Sequence, residues 1–223
     1  MRTNTPAEVN ADTYDHYVDA FTLEWNRNLV QRVEQELAQR RIASGRLLDV
    51  GTGTARTLIE LARVPSLAPL GFVGVDYYDD MVRRAEQNVR AEGLGERIEI
   101  RAGDVHALPF DDGTFVAVIG RSVVHHWADP IGAYREIFRM LAPGGFALIH
   151  EPCSDPDPAA LAFFNERRAA ANVHPVNLEG KFSVAESVEQ LREAGIEEYA
   201  HVLKGSGMLA IGFEVLIAKP ARQ

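Results

Sequence analysis

Cysteine is almost absent from this 223-residue sequence, with Cys153 standing alone. One thiol rules out an internal disulfide and a cysteine-rich metal site, and the plain expectation for it is a small buried apolar side chain rather than a nucleophile. Basic charge is scarce too. Lys and Arg number 23 against 32 Asp and Glu, a formal net charge of −9, which argues against nucleic acid as the main partner because phosphate binding needs a basic face. No apolar run is long enough to span a bilayer, and the opening residues MRTNTPAEVNADTYDHYVDAF contain no apolar signal segment. The expectation is a cytoplasmic protein without membrane insertion. Internal repeats and low-complexity tracts are also missing.

What remains is ordinary globular material. At 46% hydrophobic and 25% charged residues, wholesale disorder is excluded, and the length suits one domain with a large core. Residues 1–12, polar and turn-rich, read as loosely ordered. A helix is predicted from Leu23 to Arg40, with Leu29, Val33 and Leu37 on one face. Strand-like runs then follow at RLLDV (46–50), GFVGVD (71–76), RIEIRAGD (97–104), FVAVIG (115–120) and GFALIHE (145–151). Several are apolar on both faces, as a central parallel sheet requires.

Helical patterns fill the gaps at 54–63, 79–92, 129–141 and 183–195. Asp129 and Pro130 form a start signal for the third, and Ser183 with Glu186 forms a capping box for the fourth, which stops at Gly195. The chain closes with EEYAHVLK and LAIGFEVLIAKP, two strand-like runs joined across GSGM as a hairpin. The whole reads as α/β: a doubly wound, Rossmann-like seven-stranded sheet, mostly parallel, with a C-terminal antiparallel hairpin.

Ligands of such sheets bind at the carboxyl ends of the strands. Strand one ends in Asp49 and a loop with Gly51 and Gly53; strand two ends in Asp76, strand three in Asp104. Three strand-end acids are hostile to a dinucleotide or a triphosphate. They suit a ligand with a cationic group and sugar hydroxyls. The third dinucleotide glycine, due at position 56, is replaced by Arg56, and no Gly-Lys-Ser or Gly-Lys-Thr phosphate loop is present. Gly51 and Gly53 instead fit a turn whose backbone approaches a ligand closely.

The stretches LLDVGTGTA, VGVDYYDDMVRRA, AGDVHALPFDDGTFVAVIGRSVVHHWADP and LAPGGFALIHEP together resemble the class I S-adenosylmethionine-dependent methyltransferases. The likeness is greatest to the subgroup with ubiquinone and menaquinone biosynthesis enzymes. It covers residues 45–152, and the C-terminal hairpin also fits the family's reversed last strand. It implies an N-terminal lid and helix over 1–40 and a methyltransferase domain over 41–223, with 153–182 as an acceptor-site insertion. The resemblance places S-adenosyl-L-methionine against Asp49, Gly51, Thr52 and Gly53 at its methionine end, with the Asp49 carboxylate towards the ammonium. It gives Asp76 the ribose hydroxyls, Tyr77 and Met81 the adenine faces, and Asp104 and the Val105 amide the adenine edge. Arg121 and Ser122 fall at the sulfonium end, and Tyr14 falls on a lid. Asp104 also fits a turn cap and Met81 a core position, and Ala55 departs from a common glycine.

Methyl transfer from a sulfonium asks mainly for alignment and exclusion of water. A base is needed only for a protonated acceptor, and His125 and His126 are the candidates. Read as extended backbone, the pair points to opposite sides, so at most one faces the acceptor, and His126 is favoured. Phe163, Phe164, His174 and Phe182 either line an acceptor pocket or anchor a helix. The expected partner is a small-molecule acceptor, with no nucleic acid and no metal; a homodimer is compatible with the sequence. The alternatives are aminopropyl transfer, a nicotinamide-dependent oxidoreductase, or an idle cofactor- or partner-binding domain.

Overall fold

Leu47 and Leu48 are neighbours in the chain, both fully buried, and they belong to different apolar clusters. That alternation is the mark of a strand covered on both faces. The computed structural model describes residues 23–170 and 173–221, so the expectations for residues 1–12 and for Tyr14 lie outside the described residues. Its seven strands are β1 (Gly45–Val50), β2 (Leu70–Asp76), β3 (Ile98–Ala102), β4 (Phe115–Arg121), β5 (Leu141–Pro152), β6 (Ala200–Lys204) and β7 (Gly212–Ala218). They form one sheet in the order β3-β2-β1-β4-β5-β7-β6. All pairs from β3 to β5 are parallel, and β7 runs antiparallel to both β5 and β6.

The helices are α1 (Leu23–Gln39), α2 (Arg56–Ala62), α3 (Asp79–Ala91), α4 (Pro130–Met140), α5 (Pro158–Ala170) and α6 (Val184–Glu193). Leu29, Val33 and Leu37 of α1 join Leu58 of α2 and Val89 of α3 over the sheet face carrying Leu47, Phe72 and Ile119. Tyr134 and Ile137 of α4 and Leu191 of α6 cover the other face, against Leu48, Val73 and Val118. Helix α5 stands apart from both. Its Phe164 packs with Trp25 and Ile211 in a smaller cluster.

The start signals read from the sequence are realised. The Asp129 carboxylate accepts the Gly132 amide at 3.0 Å, with Pro130 opening α4. Ser183 Oγ accepts the Glu186 amide at 3.1 Å while the Glu186 carboxylate accepts the Ser183 amide at 2.8 Å.

Two junctions differ from expectation. Helix α4 ends at Met140 and passes directly into β5 at Leu141, which pairs with Phe115 before a register shift restores pairing at Ala117–Phe146. The irregular stretch needs Gly145: a Cβ there would lie 2.9 Å from the carbonyl oxygens of Ala142 and Val116. The connection between β6 and β7 is also no tight hairpin, because a 3₁₀ helix, Gly207–Ile211, occupies it.

Candidate functional site

From β1 the sheet is wound one way through β2 to β3; β4 then returns to the other side of β1 and winding proceeds through β5. The carboxyl ends of β1 and β4 are therefore the switch point, where successive connections diverge and a crevice opens. Beyond β1 the backbone turns sharply. Gly51 has φ 69°, Gly53 φ 56° and Ala55 φ 64°. The loop is stitched to the end of β2: the Gly51 and Thr52 amides donate to the Val75 carbonyl, and the Gly53 amide donates to Asp76 Oδ2 at 2.8 Å. From the β4 side Val123 presses on it, so closely that a Cβ on Gly51 would sit 2.5 Å from Val123 Cγ1. Ala55, where the resemblance has a glycine, is left-handed as well, and its methyl is accommodated in full burial.

Two carboxylates lie beside this loop. Asp49, 4% exposed, accepts the Thr52 hydroxyl at 2.8 Å. Burial pushes it up to about 7, against the pull of the Thr52 hydrogen bond and the Arg121 charge, with Asp76 adding to the rise. Asp76, 7% exposed, is also raised by burial, opposed by the amides of Tyr78 and Gly53 that it accepts. The Tyr77 amide also lowers it; a carboxylate has about four lone-pair positions, so Asp76 keeps acceptor capacity for a further donor. Two desolvated acids on adjacent strands favour a ligand that brings a cation and hydroxyls.

The remaining cofactor candidates fall around the crevice rather than all within it. Tyr77 is 68% exposed and packs edge-on against Tyr78; Met81, in the first turn of α3, is half-buried and belongs to neither large core cluster. Asp104 is exposed. It accepts the His106 amide and contacts the His106 ring, so it does serve as a turn cap. Burial would raise its carboxyl, but these bonds hold it below its ordinary value. The Val105 side chain is core. Arg121 ends β4, and Ser122 follows with φ 56°, its amide donating to the His150 carbonyl at 2.7 Å. A left-handed non-glycine residue costs about 1–2 kcal/mol, and such strain is concentrated at functional sites.

The histidine geometry corrects the sequence reading. Val124–His126 is a turn of 3₁₀ helix, not extended chain, so the rings do not alternate across a strand; their centroids are 4.0 Å apart with planes at 44°. His126 keeps solvent access, and its pKa is lowered to about 4, first by partial desolvation and then by His125. His125 turns inwards. Its Nδ1 meets Glu151 Oε1, and its Nε2 lies 3.1 Å from Lys181 Nζ.

Glu151 is the residue the motifs passed over. It is 0% exposed, and its Oε2 accepts the Val123 amide at 2.9 Å and the Val124 amide at 3.1 Å. A signal for it existed, since it is a fourth acid near a strand end, in β5. Lys181, in the irregular stretch before α6, had none. Among the four residues of 153–182 considered for an acceptor pocket, Phe164 anchors α5 and Phe182 packs on the main core. Phe163, 49% exposed, borders a cavity of about 820 Å³ with Pro156, Pro158 and Lys204, away from the strand-end acids. His174 contributes its carbonyl to Arg168. Among the described residues, no helix is long and apolar enough to cross a membrane.

Residues 48–149 match the family described as a methyltransferase domain. A ubiquinone/menaquinone biosynthesis C-methyltransferase of Geobacter sulfurreducens is 35% identical over 57% of this chain and 47% of its own. A 27-O-demethylrifamycin SV methyltransferase of Amycolatopsis mediterranei is 26% identical over 88% of this chain and 76% of its own. The chain spans about half the length of the curated relatives it matches. In fold it is similar to a Methanococcus maripaludis protein assigned as an S-adenosyl-L-methionine-dependent methyltransferase, with TM-score 0.72, 23% identity, and coverage of 96% of this chain and 93% of that one.

Proposed function

We propose that residues 48–149, which match the methyltransferase-domain family, form a class I S-adenosylmethionine-dependent methyltransferase domain, and that the protein methylates a small-molecule acceptor by in-line transfer. The observation that carries the reading is the pair of buried carboxylates at the switch point, Asp49 and Asp76, with the Gly51–Gly53 loop between them. Their chemistry fits the cofactor. Among the described residues no cation lies at hydrogen-bond distance from Asp49, which has been pushed up to about 7, so an incoming ammonium restores its ordinary charged state. Asp76 has acceptor capacity left for a ribose hydroxyl.

S-Adenosyl-L-methionine supplies, when bound, a methyl group on a sulfonium whose departure leaves a neutral thioether. The chain supplies the rest. Asp49, Gly51, Thr52 and Gly53 hold the amino-acid end, Asp76 the ribose, and Tyr77 and Met81 the adenine faces. Asp104 and Val105 serve the adenine edge, while Arg121 and Ser122 border the reacting end. Tyr14 remains a lid candidate from the sequence. His126, neutral at pH 7 with its pKa near 4, holds an abstracted proton weakly. His125, braced by Glu151, is the better placed of the two. The cell interior is the proposed location.

Calorimetry with S-adenosylmethionine, its demethylated product and NAD tests the reading. Binding of the first two and none of NAD is expected; NAD binding without the others overturns it. Asp76→Ala removes hydrogen bonds to a charged acceptor, typically worth about 1.5–3 kcal/mol. Cofactor affinity is then expected to fall roughly tenfold to hundredfold, and an unchanged Kd in a folded variant means that Asp76 does not face the ribose.

A further inference from the structure

The chain has three lysines among its 23 basic residues: Lys181, Lys204 and Lys219. Lys204 Nζ donates to the Asp155 carbonyl, and Lys219 Nζ donates to the carbonyls of Phe138 and Arg139. Lys181 is placed differently. Among the described residues no carboxylate forms an ion pair with it, and its Nζ lies 3.1 Å from a ring nitrogen, His125 Nε2. Behind that ring stands the fully buried Glu151, held by the Val123 and Val124 amides. Val123 is also the residue that presses on the Gly51 loop, so the chain of contacts stands next to the proposed methionine end of the cofactor. Lys181 itself enters from the segment that follows α5.

We propose that Lys181, His125 and Glu151 form a proton relay on the acceptor side of the crevice, and that the acceptor is an ionisable hydroxyl of the phenol or enol type. The proposal rests on the methyltransferase reading. The trio holds one mobile proton. With that proton on His125, the imidazolium is paired with the Glu151 carboxylate and Lys181 is a neutral amine. The acceptor O–H bond then breaks, its proton forms a new N–H bond on the Lys181 lone pair, and the electron pair stays on the acceptor oxygen, which becomes the nucleophile. The trio goes from neutral to +1 as the acceptor goes from neutral to −1, and solvent later removes the proton from Lys181.

The groups that face Lys181 are His125 and His126 from the 3₁₀ turn and Glu151 from β5; from α4, the buried Tyr134 hydroxyl faces Glu151 and has no hydrogen-bond partner among the described residues. Burial lowers Lys181 and Glu151 opposes this, with a net fall. That direction is what a lysine needs to be a base near neutral pH.

Three lysines make the test clean. With ¹³Cε-lysine labelling, three signals are expected, assigned by losses in Lys204→Arg and Lys219→Arg. Lys181 should titrate below the other two, and His125→Gln should return it towards them. If that variant does not fold, ¹⁵N-histidine spectra of Lys181→Met give the same information, because losing the lysine removes the Nζ contact at His125 Nε2 and must move that nitrogen's signal. With cofactor and a panel of phenol, catechol and 4-nitrophenol, methyl ether formation should fall about 10²–10⁴-fold in Lys181→Met, with cofactor affinity unchanged. A Lys181 that titrates with the other lysines, or a Lys181→Met protein with the wild-type rate, overturns the relay. Because cofactor binding is measured separately, its loss sinks the methyltransferase reading, whereas normal binding with an ordinary Lys181 sinks the relay alone.

Discussion

Cofactor affinity is expected to fall about tenfold for each pH unit below 7, reaching roughly a hundredfold by pH 5. The cause is Asp49, whose carboxyl is pushed up to about 7 by burial in the cofactor-free protein. Below that pH the group is protonated and must release its proton before it can pair with an ammonium. Free-protein stability has the opposite slope. An unfolded aspartate titrates near 3.9, so between about pH 4 and 7 the folded chain holds a proton that the unfolded chain has lost. Stability from this group therefore falls as pH rises through that window, by up to about 1.4 kcal/mol per unit, and is flat above it. Calorimetry in buffers of different ionisation enthalpy should register the released proton. A Kd that stays constant from pH 5.5 to 7, with no proton released, shows that Asp49 is already ionised or lies away from the ammonium.

The largest loss of stability is expected from Glu151→Ala. The wild-type carboxylate, wholly buried, satisfies the Val123 and Val124 amides and His125 Nδ1. Alanine orphans all three donors and leaves a cavity. Each buried unsatisfied donor costs about 1–3 kcal/mol, and breaking a buried pair costs about 3–5 kcal/mol. For a domain of this size that corresponds to a fall in Tm on the order of 10 °C. Glu151→Gln separates the roles of the two oxygens. Its carbonyl can still accept both amides, so it should keep most of the stability, but its NH₂ then points at His125 Nδ1. With Nδ1 accepting that bond, Nε2 must carry the ring proton, which then points at Lys181 Nζ. An alanine variant that melts with the wild type would remove Glu151 from any account of the site.

The sheet was legible because its signals are local and redundant. Two-faced apolar runs gave β1, β2 and β4 to within a residue of their ends, and the Asp129–Pro130 and Ser183–Glu186 pairs marked helix starts by chemistry that needs no tertiary contact. Strand-end acids located Asp49 and Asp76 by the same logic. The errors fall where long-range contacts decide. His125 and His126 were read as extended, yet Glu151, 26 residues further along the chain, binds the Val123 and Val124 amides and His125 beside the turn. Lys181 meets His125 across 56 residues, and no periodicity or spacing announces such a pair. Leu141 was counted as the last helical residue because its apolar stripe continues, whereas a pairing with Phe115 claims it for the sheet.

The position of β7 has a consequence for the order in which the molecule can be made. It leaves the ribosome after β6 but lies between β6 and β5, and among the described residues β6 has no other hydrogen-bonded neighbour in the sheet. A nascent chain that has emerged only as far as residue 205 therefore displays the long β5 with one side unfilled and a β6 with nothing to join. Unfilled strand edges recruit other chains, and non-local pairing delays folding. Protection from aggregation thus arrives late, with seven residues, Gly212–Ala218, that fill the vacancy from within. Proteolysis at 205–211 during synthesis would be far more damaging than the same cut made after β7 has seated.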